Sequence, residues 1–156
     1  MFFDKLIQTL SDHKIRYALA GGFAVALHGA VRGTVDVDLV IQLSLESFEK
    51  IEKVLLKLNL HPRLPVKAQE VFTFRDEYIQ NKNLIAWSFV NPSHPSEIVD
   101  VLIPFDLEKM KVQRLRYKNY SIPVLTKEEL IQMKEKTGRP QDQEDVRALR
   151  ALGGKK

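Results

Sequence analysis

Hydrophobic residues recur along the chain with two different periods, and these periods predict alternating helices and strands. Residues 2–10 repeat at helical spacing, whereas residues 17–20 form a short apolar run that is typical of a buried strand. The next two residues, Gly21 and Gly22, allow a tight turn before a helix over residues 23–28. The chain is therefore expected to begin with a helix, a strand, a glycine turn and a second helix.

Residues 35–41 alternate between apolar and acidic side chains, which is typical of a half-buried strand. Because successive side chains of a strand point to opposite faces, Asp36 and Asp38 share one face. The pattern therefore predicts two carboxylates that point in the same direction. The opposite face is expected to carry Val35, Val37, Leu39 and Ile41.

The remaining hydrophobic pattern predicts further helices and strands of ordinary length. A helix begins after Ser44, which can act as its N-cap, and Thr126 with Glu129 forms a capping box for a later helix. Mixed elements of this kind predict an α/β (α+β) fold in which helices cover a sheet. The other predicted elements are strands over residues 71–74, 84–90 and 98–103, a hairpin over residues 115–125, and helices ending at Gly138 and covering about residues 142–152.

Length and composition indicate one compact domain and exclude several other classes of protein. The chain has 156 residues, of which 44% are hydrophobic and 28% charged, so neither a disordered tail nor a fibre fits. It has no cysteine, which excludes disulfide bonds, thiolate metal sites and a cysteine nucleophile. The longest apolar run, residues 17–27, is shorter than the roughly 20 residues that cross a bilayer. We therefore expect no membrane segment and a cytoplasmic location.

The net charge of +4 is unevenly distributed along the chain. Residues 105–156 contain 13 basic and 8 acidic residues, whereas the preceding part of the chain is close to neutral. This excess predicts attraction between the carboxyl-terminal third and a phosphate-rich partner. Alternating basic residues on an exposed hairpin would give the same excess without any role in binding.

Three aspartates lie in predicted strands that are otherwise apolar: Asp36 and Asp38 in one strand and Asp100 in another. An ionised carboxylate in such a place costs several kcal/mol unless it is paired or binds a cation. If the two strands are neighbours, the three carboxylates form an oxygen-only site of the kind that Mg²⁺ prefers. The alternative is that the acidic pair lies on the solvated face of an edge strand and that Asp100 pairs with a lysine or arginine.

The acidic pair follows a glycine-rich segment, and this combination resembles a known superfamily. Residues 20–29 read Ala-Gly-Gly-Phe-Ala-Val-Ala-Leu-His-Gly, and Arg32 and Thr34 come between them and the acidic pair. A glycine turn that opens a helix offers free backbone amides to an anion. The arrangement resembles the nucleotidyltransferase superfamily with the polymerase-beta-like fold. It looks closest to the AbiEii-type nucleotidyltransferase toxins of phage-defence and toxin–antitoxin systems.

A second similarity lies near the carboxyl end of the chain. The AbiEii-type branch has a late lysine followed by an aspartate eight or nine positions on, a spacing that Lys134 meets with Asp142 and Lys136 meets with Asp145. The resemblance implies a single nucleotidyltransferase domain over residues 1–156, with a mixed sheet flanked by helices. Residues 126–156 would form its C-terminal helical segment.

The resemblance also implies a chemistry, namely Mg²⁺-dependent transfer of a nucleoside monophosphate from an NTP, such as ATP, to a hydroxyl group. Asp36 and Asp38 would bind both metal ions, and Asp100 would bind the ion that activates the hydroxyl and could act as general base. Gly21 and Gly22 would cradle the β and γ phosphates. Many members of the superfamily have Gly-Ser at this place, so a hydroxyl contact to the triphosphate would be missing here.

Several polar residues are secondary candidates for binding the nucleotide, and Lys134 is also a candidate catalytic residue. Lysine and arginine side chains can neutralise or hold phosphates. Each candidate also has a purely structural explanation, such as an ion pair for Arg32, the helix dipole for Lys134 and helix capping for Asp142. The candidates are Arg32, Thr34, Lys134, Arg139 and Asp142.

Three conspicuous ring side chains are better explained by packing or local bonding. Trp87 and Phe89 could stack on a base, but aromatic residues two apart on a strand belong more often to the core. His28 has no other histidine at metal-ligand spacing and is expected to bond to the backbone.

The acceptor and the biological role stay open at this level. We expect an acceptor hydroxyl on RNA, such as tRNA, or on a protein. The AbiEii resemblance implies a toxin that an antitoxin protein would hold inactive. One alternative is transfer to a small hydroxyl compound such as an aminoglycoside, for which the chain looks short. The other is a catalytically inactive module that binds nucleic acid or protein.

Overall fold

A computed structural model describes residues 1–30 and 32–153 of the chain. Helices and strands alternate along most of its length, as the hydrophobic pattern predicts. The strands are β1 (Tyr17–Ala20), β2 (Val37–Ile41), β3 (His61–Pro62), β4 (Ala86–Asn91), β5 (His94–Leu102), β6 (Val112–Tyr117) and β7 (Tyr120–Leu125). The α-helices are α1 (Phe2–Asp12), α2 (Gly21–Leu27), α3 (Leu45–Lys57), α4 (Ala68–Thr73), α5 (Arg75–Lys82), α6 (Lys127–Thr137) and α7 (Pro140–Gly153).

The strands form one mixed, seven-stranded sheet in the order β3-β4-β5-β2-β1-β7-β6. Strand β2 is antiparallel to β1 and parallel to β5, and β1 is parallel to β7. The pairs β3–β4, β4–β5 and β6–β7 are antiparallel. The predicted α/β fold with helices around a mixed sheet is therefore confirmed, and β2 and β5 are neighbours near its centre.

Alternation along the strands separates an apolar face of the sheet from a polar one. Trp87 and Phe89 on β4 are buried, and Trp87 stacks on Phe48 of α3 with ring centroids 5.8 Å apart. The prediction that this aromatic pair belongs to the core is confirmed. Ser88, which lies between them in sequence, faces the other side together with Asp100 of β5.

The predicted helix caps are also present. The Ser44 hydroxyl accepts a hydrogen bond from the Ser47 amide, and the Thr126 hydroxyl accepts one from the Glu129 amide. Helix α6 ends at Gly138, which has a left-handed φ of +63°. His28 follows α2 and bonds through Nε2 to the Leu125 carbonyl at 2.9 Å, so its expected backbone contact is confirmed.

Two sequence-based assignments are wrong. Residues 71–74 are not a strand, because α4 and the first residue after it cover them and α5 follows directly. The Glu70 carboxylate accepts a hydrogen bond from the Lys67 amide and fixes the start of α4, a signal that a four-residue apolar run does not reveal. Strand β2 starts only at Val37, and Val35 is 57% exposed instead of buried.

The boundaries of two helices also differ slightly from prediction. Helix α2 begins at Gly21 itself, and α7 begins at Pro140, where the fixed φ of proline suits the first helical position.

Within residues 1–30 and 32–153, no helix combines the length and the apolar character needed to cross a membrane.

Replacing Phe89 tests the packing on the apolar face of the sheet directly. Replacing this fully buried side chain by alanine leaves a cavity, so Phe89→Ala should lower the free energy of unfolding by about 3–5 kcal/mol. Phe74→Ala removes the same atoms from a half-exposed side chain and should cost less than about 1 kcal/mol. Urea unfolding followed by Trp87 fluorescence measures both. Equal losses in the two variants would contradict the burial of Phe89.

Candidate active site

A row of polar side chains crosses the sheet on its polar face. Asp38 of β2 is in register with Asp100 of β5, and Asp100 is in register with Ser88 of β4. On the other side, Asp38 lies opposite Ala20, the last residue of β1. Because residues in register on neighbouring strands share a face, the two carboxylates lie side by side. The structure thus brings together Asp38 and Asp100, as the sequence predicts.

Asp36 belongs to the same negative region but not to the strand. It lies one residue before β2, in the segment that leads from α2 into the sheet. Its charge acts on both Asp38 and Asp100. Asp36 therefore lies just outside the strand that the sequence predicts to contain it, but it is close enough to Asp38 and Asp100 for its charge to act on both.

Gly21 places the backbone directly against the Asp38 carboxylate. Its φ of +62° is left-handed, and a Cβ added at this position would overlap Asp38 Oδ2. Only glycine tolerates both the conformation and the close approach. The backbone of the glycine turn therefore lies in contact with the acidic row, which is the pair of neighbouring carboxylates Asp38 and Asp100.

Gly22 is packed just as closely against Thr34. A Cβ at Gly22 would lie 2.8 Å from both Cβ and Oγ1 of Thr34, so a serine at this position would collide with the threonine. The Thr34 hydroxyl also lies near the Asp36 carbonyl, at 3.4 Å. In this chain a threonine hydroxyl thus occupies the space beside the turn where a side chain at position 22 would begin.

Burial disfavours ionisation of the two central carboxylates, and the charge of Asp36 adds to this effect at both. Burial, followed by repulsion from Asp100 and Asp36, raises the pKa of Asp38 to about 7, against a smaller opposing effect of Lys134. Burial also raises the pKa of Asp100, while the hydrogen bond from Ser88 and the charge of Arg63 act in the opposite direction. At Asp38, burial and the neighbouring carboxylates therefore outweigh the attraction of Lys134.

Ser88 and Arg63 complete the β4 side of the row. The Ser88 hydroxyl donates a 2.6 Å hydrogen bond to Asp100 Oδ1, which holds the carboxylate in one orientation. Arg63 follows β3, and its amide donates to the Ser88 carbonyl at 2.8 Å. Arg63 lines a groove of about 260 Å³ next to Ser88.

Lys134 of α6 stands on the other side, between the acidic row and two buried aspartates of α7. Its Nζ lies 2.8 Å from Asp145 Oδ2 and 3.8 Å from Asp142 Oδ1, and its side chain is only 10% exposed. Of the two lysines that meet the motif spacing, Lys134 contacts both Asp142 and Asp145, whereas Lys136 is exposed. Lys136 lies on another side of α6, since two positions along a helix turn a side chain by more than half a circle.

The two aspartates of α7 are held as ions by several donors. Burial opposes ionisation of Asp142, but hydrogen bonds from Arg139 and Thr137 lower the pKa of its carboxyl. Lys134 and Arg32 lower the pKa of Asp145 in the same way, against the effect of burial. Arg32 Nε lies 3.0 Å from Asp145 Oδ1, so the structural explanation for Arg32 is realised here.

A small cleft opens where the acidic row meets α6. It has a volume of about 110 Å³ and combines charged groups with an apolar wall. Arg139, whose side chain is largely exposed, reaches this cleft while it pairs with Asp142. The cleft is lined by Gly21, Asp38, Lys134, Arg139 and Asp142 together with Ile85, Leu102, Phe105, Leu130 and Met133, and by Thr137.

The carboxylate oxygens of the acidic row suit a hard cation, but they do not form a complete metal site by themselves. Among residues 1–30 and 32–153, no three acidic or histidine side chains are arranged as a full metal site. The surroundings of Asp38 and Asp100 disfavour ionisation of these adjacent carboxylates. Carboxylate oxygens are nevertheless the ligands that Mg²⁺ takes, and water and substrate phosphates can supply the others. The residues present therefore fit Mg²⁺ that binds together with a phosphate-bearing substrate.

Sequence reasoning missed Ser88 and Arg63. Ser88 carries a readable signal, because it is the polar residue between Trp87 and Phe89 in a predicted strand. Its partner, however, depends on the β4–β5 register. Arg63 has no signal in the sequence, since only the short β3 pairing brings it to the row.

Comparison of this geometry with solved structures decides the fold. A Thermotoga maritima protein classed as a nucleotidyltransferase superposes with a TM-score of 0.62 at 17% identity, covering 93% of this chain and 88% of its own. The lincosamide antibiotic adenylyltransferase LnuA, solved with lincomycin bound, gives 0.65 at 15% identity, covering 97% and 96%. The chain has the nucleotidyltransferase fold.

The antibiotic-resistance factor ANT(2'')-Ia shares this nucleotidyltransferase fold, with a TM-score of 0.67 at 10% identity, covering 95% of this chain and 80% of its own. No protein-family model and no curated protein sequence matches the chain. The AbiEii-type resemblance therefore remains a prediction from the sequence motifs.

Removing the Asp38 charge should stabilise the metal-free protein in a pH-dependent way. The native pKa of about 7 lies above the ordinary value of 3.8, so ionisation in the native state costs stability as pH rises between these values. Asp38→Asn should match wild type near pH 3.5 and exceed it at pH 8 by roughly 2 to 4 kcal/mol. Urea unfolding in EDTA across this pH range measures the difference.

The control for this pH series is Asp12→Asn, which alters an exposed aspartate of α1. Its free energy of unfolding should follow the wild-type pH curve. A pH-independent difference between Asp38→Asn and wild type would contradict the buried, repelled state of Asp38.

Gly21 and Gly138 offer a matched pair for testing the contact with Asp38. Both have a φ near +62°, but the nearest atom to a Cβ at Gly138 is the Glu135 carbonyl oxygen at 4.0 Å. Gly138→Ala should therefore cost only the backbone strain of about 1–2 kcal/mol. Gly21→Ala should cost more and also shift the Asp38 pKa, measured by carboxyl NMR. Equal costs with an unchanged Asp38 pKa would refute the close contact.

Proposed function

We propose that this chain is a nucleotidyltransferase that transfers a nucleoside monophosphate from an NTP to a hydroxyl group, with Mg²⁺ as cofactor. The observation that carries the proposal is the in-register pair Asp38 and Asp100 in contact with the glycine turn at Gly21. A pair of carboxylates whose ionisation is disfavoured, next to a glycine whose backbone carries no side chain, suits a metal-bound triphosphate. The nucleotidyltransferase fold supports the same assignment.

The proposed reaction is a displacement at the α-phosphorus. The acceptor oxygen forms a bond to this phosphorus, the bond to the bridging oxygen of pyrophosphate breaks, and the acceptor proton leaves to a base. Mg²⁺ held by Asp36, Asp38 and Asp100 would supply charge neutralisation on the phosphates and acidify the hydroxyl. Asp100, fixed by the Ser88 hydroxyl, is our candidate for the base.

Other side chains are assigned to the triphosphate. We assign Gly21 and Gly22 to the phosphates because their backbone is not covered by side chains of their own. Lys134 and Arg139 line the same cleft and would neutralise the pyrophosphate. Thr34 lies beside the turn and could supply the hydroxyl contact that Gly22 lacks.

Arg32 and Asp142 take a supporting role in this proposal. Arg32 is paired with Asp145, and Asp142 accepts hydrogen bonds from Thr137 and Arg139. Both would therefore act on the nucleotide through Lys134 and Arg139, whose positions they help to fix.

The acceptor we propose is a hydroxyl of RNA, such as tRNA, or of a protein, and the resemblance to AbiEii-type proteins supports a toxin controlled by an antitoxin. A small hydroxyl compound is the second candidate. LnuA was solved with lincomycin and ANT(2'')-Ia with adenylyl-2''-tobramycin, and this chain covers 96% of LnuA. The chain length therefore does not argue against a small acceptor, contrary to the expectation from sequence.

The test uses NTPs labelled on the α-phosphate, Mg²⁺, and three acceptor pools: total RNA, total protein, and a set of lincosamides and aminoglycosides. Wild type should transfer label to one pool and release pyrophosphate. Asp38→Asn and Asp100→Asn should lower the rate roughly 100-fold or more. Asp76→Asn, at an exposed position of α5, should leave the rate unchanged.

A thermal-shift measurement separates the enzyme from an inactive binding module. An NTP with Mg²⁺ should raise the melting temperature of wild type by mass action, and EDTA should abolish the effect. No Mg²⁺-dependent shift with any NTP, together with no difference in label transfer between wild type and Asp38→Asn, would refute the proposed function.

A further inference from the structure

The two ends of the acidic row are chemically different. At the β1 end, the row contacts Gly21, where a cleft begins that also contains Lys134 and Arg139 and that extends to Leu102 of β5 and to Ile85. At the β4 end, it meets Ser88 and then Arg63. The strand order places these two ends on opposite sides of Asp38 and Asp100.

In-line displacement assigns the two ends to different substrates. The attacking and leaving oxygens lie on opposite sides of the phosphorus in phosphoryl and nucleotidyl transfer. If pyrophosphate leaves toward Gly21 and Lys134, the acceptor hydroxyl must approach from the side of Asp100 and Ser88. The groove at the β4 end is therefore the acceptor side of the proposed reaction.

The charge of this groove is positive. Its lining contains Arg63 and no carboxylate, the other lining residues being Leu64, Leu84, Ala86, Trp87 and Ser88. Arg63 is exposed, and within residues 1–30 and 32–153 no carboxylate lies within 4.0 Å of its guanidinium. Other arginines of this part of the chain, such as Arg32 and Arg139, are tied to aspartates.

An arginine without a carboxylate partner, next to the place where the acceptor hydroxyl reacts, disfavours a cationic acceptor. A polycationic acceptor would be matched by carboxylates in the groove that holds it, whereas a phosphate-bearing acceptor is matched by a guanidinium, which can bind it through two parallel hydrogen bonds.

We propose that the groove at Arg63 is an acceptor subsite that binds a phosphate group adjacent to the reacting hydroxyl, so that the acceptor is a phosphate-bearing compound and not a polycation. Arg63 is a specificity-determining residue in this subsite. This inference rests on the proposed function, which assigns one end of the acidic row to the nucleotide and the other to the acceptor. It narrows the acceptor to one chemical class.

The test measures acceptor binding directly, without turnover. A hexaribonucleotide with a 5′-fluorophore and a free 3′-hydroxyl is titrated by anisotropy in the presence of Mg²⁺ and a non-hydrolysable NTP analogue, which fills the nucleotide side. Arg63→Ala should raise its Kd roughly 10- to 100-fold. Arg63→Lys should recover part of the affinity, because it retains the charge but not the planar fork.

Arg16→Ala is the matched control for charge. Arg16 is an exposed arginine just before β1, outside the groove and outside the basic carboxyl-terminal third, so its loss changes the net charge equally without touching the groove. Its Kd should stay within about twofold of wild type. Equal weakening by Arg63→Ala and Arg16→Ala would overturn the proposal, because it would show attraction by overall charge only.

Competition identifies the source of the phosphate. Displacement by both unlabelled hexamer and a ribonucleoside 5′-monophosphate supports the subsite and shows that a small phosphate compound suffices. Displacement by the hexamer alone supports the subsite and favours a polynucleotide. Displacement by an unphosphorylated nucleoside or an aminoglycoside at the same concentration as the phosphate compounds would overturn the proposal.

Failure of this inference can be told apart from failure of the proposed function. If Arg63→Ala binds the hexamer like wild type while label transfer still depends on Asp38 and Asp100, only the acceptor subsite is wrong. If the Mg²⁺- and NTP-dependent thermal shift is absent from both wild type and Arg63→Ala, the proposed function itself is wrong.

Discussion

The placement of two half-buried carboxylates, Asp38 and Asp100, side by side is the constraint around which the site is arranged. The two carboxylates lie in register on neighbouring parallel strands near the centre of the sheet, where burial makes their ionisation costly. Apolar residues in the same positions would pack at lower cost, so the presence of such a pair indicates a function that needs the carboxylates. The surroundings only partly offset the charge. Ser88 orients one carboxylate, and Lys134 approaches the other.

The carboxyl-terminal helices matter because they supply the cations on one side of this pair. Lys134 does not reach the acidic row as an independent side chain, since Asp142 and Asp145 hold its ammonium group between α6 and α7. Arg32 ties the same cluster to the segment that precedes β2. The position of a single lysine thus depends on three separate parts of the chain, and the cluster couples the packing of α7 to the charge near Asp38.

Local patterns predicted most of the fold and part of the site. Caps at Ser44 and Thr126, the apolar run of β1 and the acidic alternation of β2 are encoded by near neighbours in sequence, so they were readable. The helix at 68–73 was missed because its start depends on a side-chain bond from Glu70, and its apolar residues are too few to show a period. Ser88 and Arg63 were missed for another reason: their roles arise from strand pairing between distant segments.

The alternation of side chains on β5 makes the core and the site mutually dependent. Val99 and Val101 pack on the apolar face, and Asp100 between them points to the other side. A slip of β5 by one residue against β2 would move both valines into the polar row and drive the carboxylate in among Trp87 and Phe89. The hydrophobic free energy of the two valines therefore fixes the alignment that keeps Asp100 next to Asp38. Substitutions that loosen the packing under β5 would misalign the carboxylates even if every polar residue were intact.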